Sequence, residues 1–128
     1  MNSDKNAIYV VIAAYNEGPA ISAVLDDLHA EGYRNIVVID DGSRDDTAEA
    51  VRAKGATVLS HIVNLGQGAA LQTGIEYAFR KGASFVATFD ADGQHSAADI
   101  AALWEKLTES SADIALGSRF LGKAENIT

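Results

Sequence analysis

Short apolar runs alternate along this chain with stretches in which apolar residues recur at helical spacing. Ala7–Ala13 is continuously apolar and rich in β-branched residues, the pattern of a strand buried on both faces. Pro19 suits a first helical turn, where its missing amide is harmless, and Ile21, Val24, Leu25 and Leu28 then mark one helix face that closes near Gly32. Asn35–Asp40 reads as a second buried strand, followed by a turn at Asp41-Gly42-Ser43. A helix over about Asp46–Lys54, capped by Asp45 or Ser43, stops near Gly55, and Ala56–Ser60 forms a short third strand. His61–Gly68 reads as a glycine-containing loop. Ala69–Arg80 reads as a helix whose apolar face carries Leu71, Ile75, Ala78 and Phe79, closed by Gly82. Ser84–Phe89 is the fourth strand. Ser96 caps a helix running to about Glu109, with Ile100, Leu103, Trp104 and Leu107 inward, and Asp113–Leu116 is a short fifth strand.

Strand–helix units repeated in this way predict an α/β fold of three layers, α/β/α, around a mostly parallel, doubly wound sheet. Sheets of that kind take ligands beyond the carboxyl ends of their strands. The polar clusters of this chain fall at those ends: Tyr15-Asn16-Glu17, Asp40-Asp41-Gly42-Ser43, Asp90-Ala91-Asp92 and Ser118-Arg119. Their shared placement on one rim is the strongest sign of a site that the residues give by themselves.

The 128 residues are enough for a single domain with one sizeable core. A formal net charge of −8 disfavours non-specific nucleic-acid binding and a purely electrostatic membrane contact. It still permits a phosphate-bearing small molecule beside a bound cation. The chain has no cysteine, which excludes disulfides, thiolate zinc sites and a cysteine nucleophile. No signal peptide is visible, and no apolar run reaches the roughly 18 residues of a membrane span, so a cytoplasmic location is expected.

Asp90 and Asp92, one residue apart just past a buried strand, repel each other unless a cation lies between them. Mg²⁺ or Mn²⁺ shared with substrate phosphates would meet that need, whereas a turn and helix cap is the plain structural reading. An acidic residue after the second strand suits a ribose or base edge, or simply an Asp-Gly turn with Asp40 as its cap. Asp45 and Thr47 read as residues that shape the local loop and helix start. Tyr15 could stack near a base and Glu17 accept from a ribose hydroxyl, while Asn16 or Glu17 could cap the helix behind Pro19. Asn64-Leu65-Gly66-Gln67-Gly68 lacks the lysine and hydroxyl of a P-loop and reads as a tight loop. Arg119 suits a diphosphate, or else a surface ion pair. His95 lies near enough to Asp92 in sequence to be a third ligand or a phosphate donor, or a plain surface histidine; His61 alone points to little. Trp104 at helical spacing is core.

In their order and spacing, AAYNE (Ala13–Glu17), VIDDGSRDDT (Val38–Thr47), NLGQGAALQTG (Asn64–Gly74), FDADGQH (Phe89–His95) and GSRF (Gly117–Phe120) name a family. From Ile8 to Phe120 the chain resembles the amino-terminal part of family 2 glycosyltransferases, of the GT-A fold, and within them the polyprenyl- and dolichol-phosphate sugar transferases. The resemblance implies one nucleotide-sugar-binding unit over residues 1–128, with a sheet that family members continue past the carboxyl end of this chain. It implies an inverting transfer from a UDP- or GDP-linked sugar to an acceptor such as a polyprenyl phosphate at a membrane surface. Ala14, Tyr15, Glu17 and Asp41 would then line the nucleoside pocket. Asp92 would bind the Mg²⁺ or Mn²⁺, with Asp90 on the cation, ribose or diphosphate, and Gln94 near the donor phosphates or sugar. Gly66 and Gly68 would admit the nucleotide close to the backbone, and Arg119 would hold the donor or acceptor phosphate. Two positions depart from the pattern: Ala13 or Ala14 stands where the family usually has proline, and His61 and Asn64 where close relatives often carry a basic residue.

Three other readings compete. A sugar-phosphate nucleotidyltransferase would carry a basic, glycine-rich loop after the first strand, and Ala14–Pro19 holds no basic residue. A non-catalytic or truncated nucleotide-sugar-binding unit would bind donor without transfer. A response-regulator-like domain needs a phosphoacceptor aspartate after strand three, where the chain has Ser60. A homo-oligomer is expected if the sheet leaves an edge or apolar face to cover, and membrane association is expected of a longer chain.

Overall fold

The computed structural model describes residues 8–90. The helix and strand expected beyond Asp92, with Asp92, Gln94, His95, Trp104 and Arg119, lie outside the described residues. In chain order the elements are β1 (Ile8–Ala14), α1 (Gly18–Ala30), β2 (Ile36–Asp40), α2 (Thr47–Ala53), β3 (Thr57–Ser60), α3 (Gln67–Arg80) and β4 (Phe85–Asp90). The strands form one sheet in the order β3-β2-β1-β4, and every pairing is parallel.

That order explains the layers. Parallel neighbours need crossovers, and crossovers in such sheets are right-handed. Stepping from β1 to β2 to β3 therefore leaves α1 and α2 on one face. The return to β4, on the far side of β1, carries α3 over the other face. Packing follows suit. Ile8, Val10, Ile12 and Ala14 of β1 join Ile21, Val24, Leu25 and Leu28 of α1 and Val51 of α2 in the larger core cluster. On the opposite face Val11 and Val86 pack with Ala78, and Val37 and Ile39 with Ala70. β1 and β2 are thus covered on both sides, which is why their sequences are continuously apolar instead of alternating.

The α3 helix differs from its expected form in two respects. It begins at Gln67, two residues earlier than its apolar periodicity indicates, so Gly68 lies in its first turn and not in the preceding loop. Its most deeply buried residues are Ala70, Gly74 and Ala78, while Leu71, Ile75 and Phe79 are only partly covered. A stripe of small residues brings the helix axis close to the sheet. A Cβ built on Gly74 would collide with Val11 Cγ1 and reach Ile39 Cγ1 at 3.2 Å. Among the described residues no helix is long and apolar enough to cross a membrane.

Candidate functional site

The strand order reverses between β1 and β4, and a doubly wound sheet opens its ligand crevice at such a point. The register states what meets there. Ala14 of β1 is level with Asp40 of β2, and Ala13 is level with Asp90 of β4. Three acidic-ended or loop-bearing strand ends therefore sit side by side on one rim, with β1 in the middle. Tyr15 follows at once and is 44% exposed, an amphipathic ring left outside the core.

The loop after β1 is stitched to the loop after β2. The Asp41 amide donates to the Ala14 carbonyl at 2.8 Å. Asn16, at φ 55°, donates its amide to Ser43 Oγ at 2.8 Å, and its Oδ1 accepts the Arg44 amide at 2.8 Å. Asparagine tolerates this left-handed backbone better than most residues. The Glu17 amide donates to Thr47 Oγ1 at 3.1 Å and the Gly18 amide to Asp45 Oδ2 at 3.2 Å. Thr47 in turn donates both its amide, at 3.0 Å, and its hydroxyl to Asp45 Oδ1.

These bonds correct two expectations about helix ends. Neither Asn16 nor Glu17 caps α1 through its side chain. The amide of Glu17, just before that helix, and the amide of Gly18, its first residue, are met instead from across the rim by Thr47 and Asp45, so those two residues join two loops and do more than shape their own. Ser43 does not cap α2; its hydroxyl is engaged by Asn16. The Thr47 hydroxyl, followed by the Thr47 and Gly18 amides, holds the exposed Asp45 carboxyl below the usual carboxylate range despite some desolvation. Asp40 behaves as the turn reading requires, its Oδ1 accepting the Ser43 amide at 3.0 Å.

Asp41 is the most enclosed charge among the described residues of the rim, 3% exposed. Its carboxylate faces the loop that precedes α3. Oδ1 accepts the Leu65 amide at 2.9 Å and meets His61 Nδ1 at 2.7 Å, while Oδ2 accepts the Gly66 amide at 2.8 Å. Burial by itself would raise the Asp41 carboxyl. The Leu65 amide, His61 and the Gly66 amide outweigh it and keep the group ionised, below its ordinary value. Gly66, at φ 104°, is the residue before the first turn of α3, in a conformation that glycine alone adopts readily. Gly42, at φ 77°, is crowded as well: a Cβ there would approach Val63 C and Asn64 N to 2.6 Å. The expected tight loop is therefore real, and what ties it down is the carboxylate of Asp41, the residue just past the end of β2. Sequence reasoning missed His61 and Thr73 as parts of this arrangement, because the histidine acquires its partners only through the fold.

Of the expected site residues, Ala14, Tyr15, Glu17, Asp41 and the backbone of Asp90 are gathered at this rim, and Gly68 lies at the start of α3 across from them. Among the described residues a Cβ on Gly68 would meet nothing within 4 Å. Among the described residues no three His, Cys, Asp or Glu side chains cluster to hold a metal.

Comparison with known proteins agrees with this geometry. Residues 9–127 match the model of glycosyl transferase family 2. An uncharacterized protein of Methanocaldococcus jannaschii is 43% identical over 95% of this chain and 50% of its own length. The UDP-N-acetylglucosamine–dolichyl-phosphate N-acetylglucosaminyltransferase of Methanococcus voltae is 33% identical over 92% of this chain and 54% of its own. The chain thus spans about half the length of these curated relatives. Among solved structures, glucosyl-3-phosphoglycerate synthase from Mycobacterium tuberculosis, in complex with Mn²⁺, UDP and glucosyl-3-phosphoglycerate, superposes with a TM-score of 0.68 at 28% identity, covering 82% of this chain and 41% of that one. With its parallel three-layer sheet, its acidic rim at the switch point and a family match over nearly its whole length, the chain belongs to glycosyl transferase family 2.

Proposed function

We propose that this chain binds the nucleoside-diphosphate sugar in a transferase that passes the sugar to a polyprenyl phosphate. The observation that carries the reading is the register at the switch point, where Ala13 is level with Asp90 and Ala14 with Asp40. It brings the first and fourth strand ends together where a doubly wound sheet takes nucleotides. The solved relative was captured with UDP and Mn²⁺, and the Methanococcus voltae relative is named for a dolichyl-phosphate acceptor.

In this reading Ala14, Tyr15 and Glu17 border the nucleoside, with the exposed Tyr15 ring offering a stacking face. Asp41 acts on that pocket by holding the loop that ends at Gly66. Gly68 leaves room for the nucleotide beside α3. Asp92 with Asp90 would hold Mg²⁺ or Mn²⁺; one or two carboxylates suffice when substrate phosphates complete the shell. That ion would supply positive charge to offset the charge building on the departing diphosphate. Gln94 would contact the donor phosphates or sugar, and Arg119 would grip a phosphate through paired hydrogen bonds. An oxygen of the acceptor phosphate attacks the anomeric carbon from the face opposite the diphosphate. A new C–O bond forms as the bond to the nucleoside diphosphate breaks, inverting the configuration. That oxygen is already ionised, so the reaction asks little of a general base.

The test is a transfer assay with UDP- and GDP-linked sugars, Mn²⁺ and a short polyprenyl phosphate, with the anomeric configuration of the product read by NMR. Lipid-linked sugar of inverted configuration is the expected product. Retained configuration contradicts the mechanism, and donor binding without transfer favours the binding-module reading.

A further inference from the structure

The His61 side chain, 13% exposed, stands between two elements that are distant in sequence. Nδ1 lies 2.7 Å from Asp41 Oδ1, and Nε2 lies 3.0 Å from Thr73 Oγ1. Thr73 is in the second turn of α3, and its hydroxyl also donates to the Ala69 carbonyl at 3.0 Å. The His61 amide meanwhile donates to the Asp40 carbonyl at 2.9 Å, extending the β2–β3 pairing by one residue. One histidine thereby joins the end of β2, the start of the loop and the body of α3.

From this geometry we infer that His61 and Thr73 are positioning residues for the donor site, a step that rests on the reading of that site given above. Thr73 orients the imidazole, the imidazole orients the Asp41 carboxylate, and the carboxylate fixes the Leu65 and Gly66 amides. The device sets where the chain enters α3, and so the shape of the wall that faces the nucleotide. None of the three side chains has to touch the nucleotide to do this. The second-neighbour support resembles that of metal-ligating histidines, whose outer partners set the geometry of the inner ones. Two features show that the loop needs such a tether. Ile62 is 99% exposed and Val63 and Leu65 more than half exposed, so these apolar side chains do not anchor the loop in the described core. Gly66 contributes no side chain and sits in a backbone region with little intrinsic preference to hold it.

The test compares the full chain with Thr73→Val, which keeps the shape and removes the hydroxyl, and with Thr73→Ser, which restores it. A His61→Phe variant removes both ring nitrogens. Amide hydrogen exchange at Leu65 and Gly66 reports the tether itself, and calorimetric titration with UDP and GDP in Mn²⁺ reports its effect on the site. Faster exchange at those two amides in Thr73→Val and His61→Phe is expected, returning toward the parent rate in Thr73→Ser. Nucleotide affinity should fall about three- to tenfold in step, as it would if the competent loop were populated only about 10–30% of the time. Unchanged exchange at Leu65 and Gly66 overturns the tether. Faster exchange with unchanged affinity overturns its role in the site. A parent chain that binds neither nucleotide overturns the donor reading and with it the role in the site, while the exchange rates still decide the tether on their own.

Discussion

Gly74 of α3 lies directly against Val11 of β1, with no room for even a methyl group between helix and strand. The contact sets the depth at which α3 rides on the sheet, and hence the height of its first turn above the rim. Alanine at position 74 would gain about 1 kcal/mol of helix propensity. Against this, its Cβ would meet a stiff, fully buried valine and Ile39 behind it. Overpacking of this kind costs about 1–3 kcal/mol, so Gly74→Ala should be net destabilising in urea unfolding. Adding Val11→Ala should recover part of the loss, and strictly additive effects in the double variant would contradict the contact.

Asp41 should dominate the acid sensitivity of the rim. Its folded carboxyl is held below the unfolded value, so its contribution is complete above about pH 4 and is lost as pH falls through the folded value. Asp41→Asn keeps one acceptor oxygen but turns its NH2 toward either the Leu65 or the Gly66 amide, and it removes the charge beside His61, so it should lose about 2–4 kcal/mol at pH 7. Urea midpoints measured from pH 7 to pH 3 should fall less steeply below pH 4 in the variant than in the parent. Equal slopes would mean that Asp41 is not the group responsible.

Thr47 is fully buried, and its hydroxyl is the partner of the Glu17 amide. Thr47→Val keeps the shape and leaves that amide without its acceptor. A loss of about 1–3 kcal/mol in thermal or urea unfolding is expected, together with faster amide exchange at Glu17. A variant with parent-like exchange there would show that the stitch between the two loops is not what holds Glu17 in place.

What could be read from the sequence, and what could not, follows a physical division. The buried strands were legible because β1 and β2 are covered on both faces, and their unbroken apolarity reports it. The rim residues were legible because position after a strand is a local property: Tyr15, Asp40, Asp41 and Asp90 follow from where the apolar runs stop. The sheet-facing side of α3 was not, since Ala70, Gly74 and Ala78 carry little hydrophobic signal and their burial comes from smallness. The joining of Asn16, Glu17 and Gly18 to Ser43, Asp45 and Thr47 was not legible either. Those bonds link residues 27 to 30 positions apart, and each side chain taken locally looks like a helix cap. The same holds for His61, which finds Asp41 and Thr73 only once β2, β3 and α3 are in place.

A nucleoside diphosphate is expected to bind, with a divalent cation, at the rim where β1 and β4 end. Calorimetric titration of the chain with UDP and with GDP, each with and without Mn²⁺, and repeated in Asp92→Asn, addresses it most directly. Saturable binding of one nucleotide, strengthened by Mn²⁺ and losing that dependence in Asp92→Asn, is the expected result. Binding of neither nucleotide, or binding indifferent to both Mn²⁺ and Asp92, would contradict it.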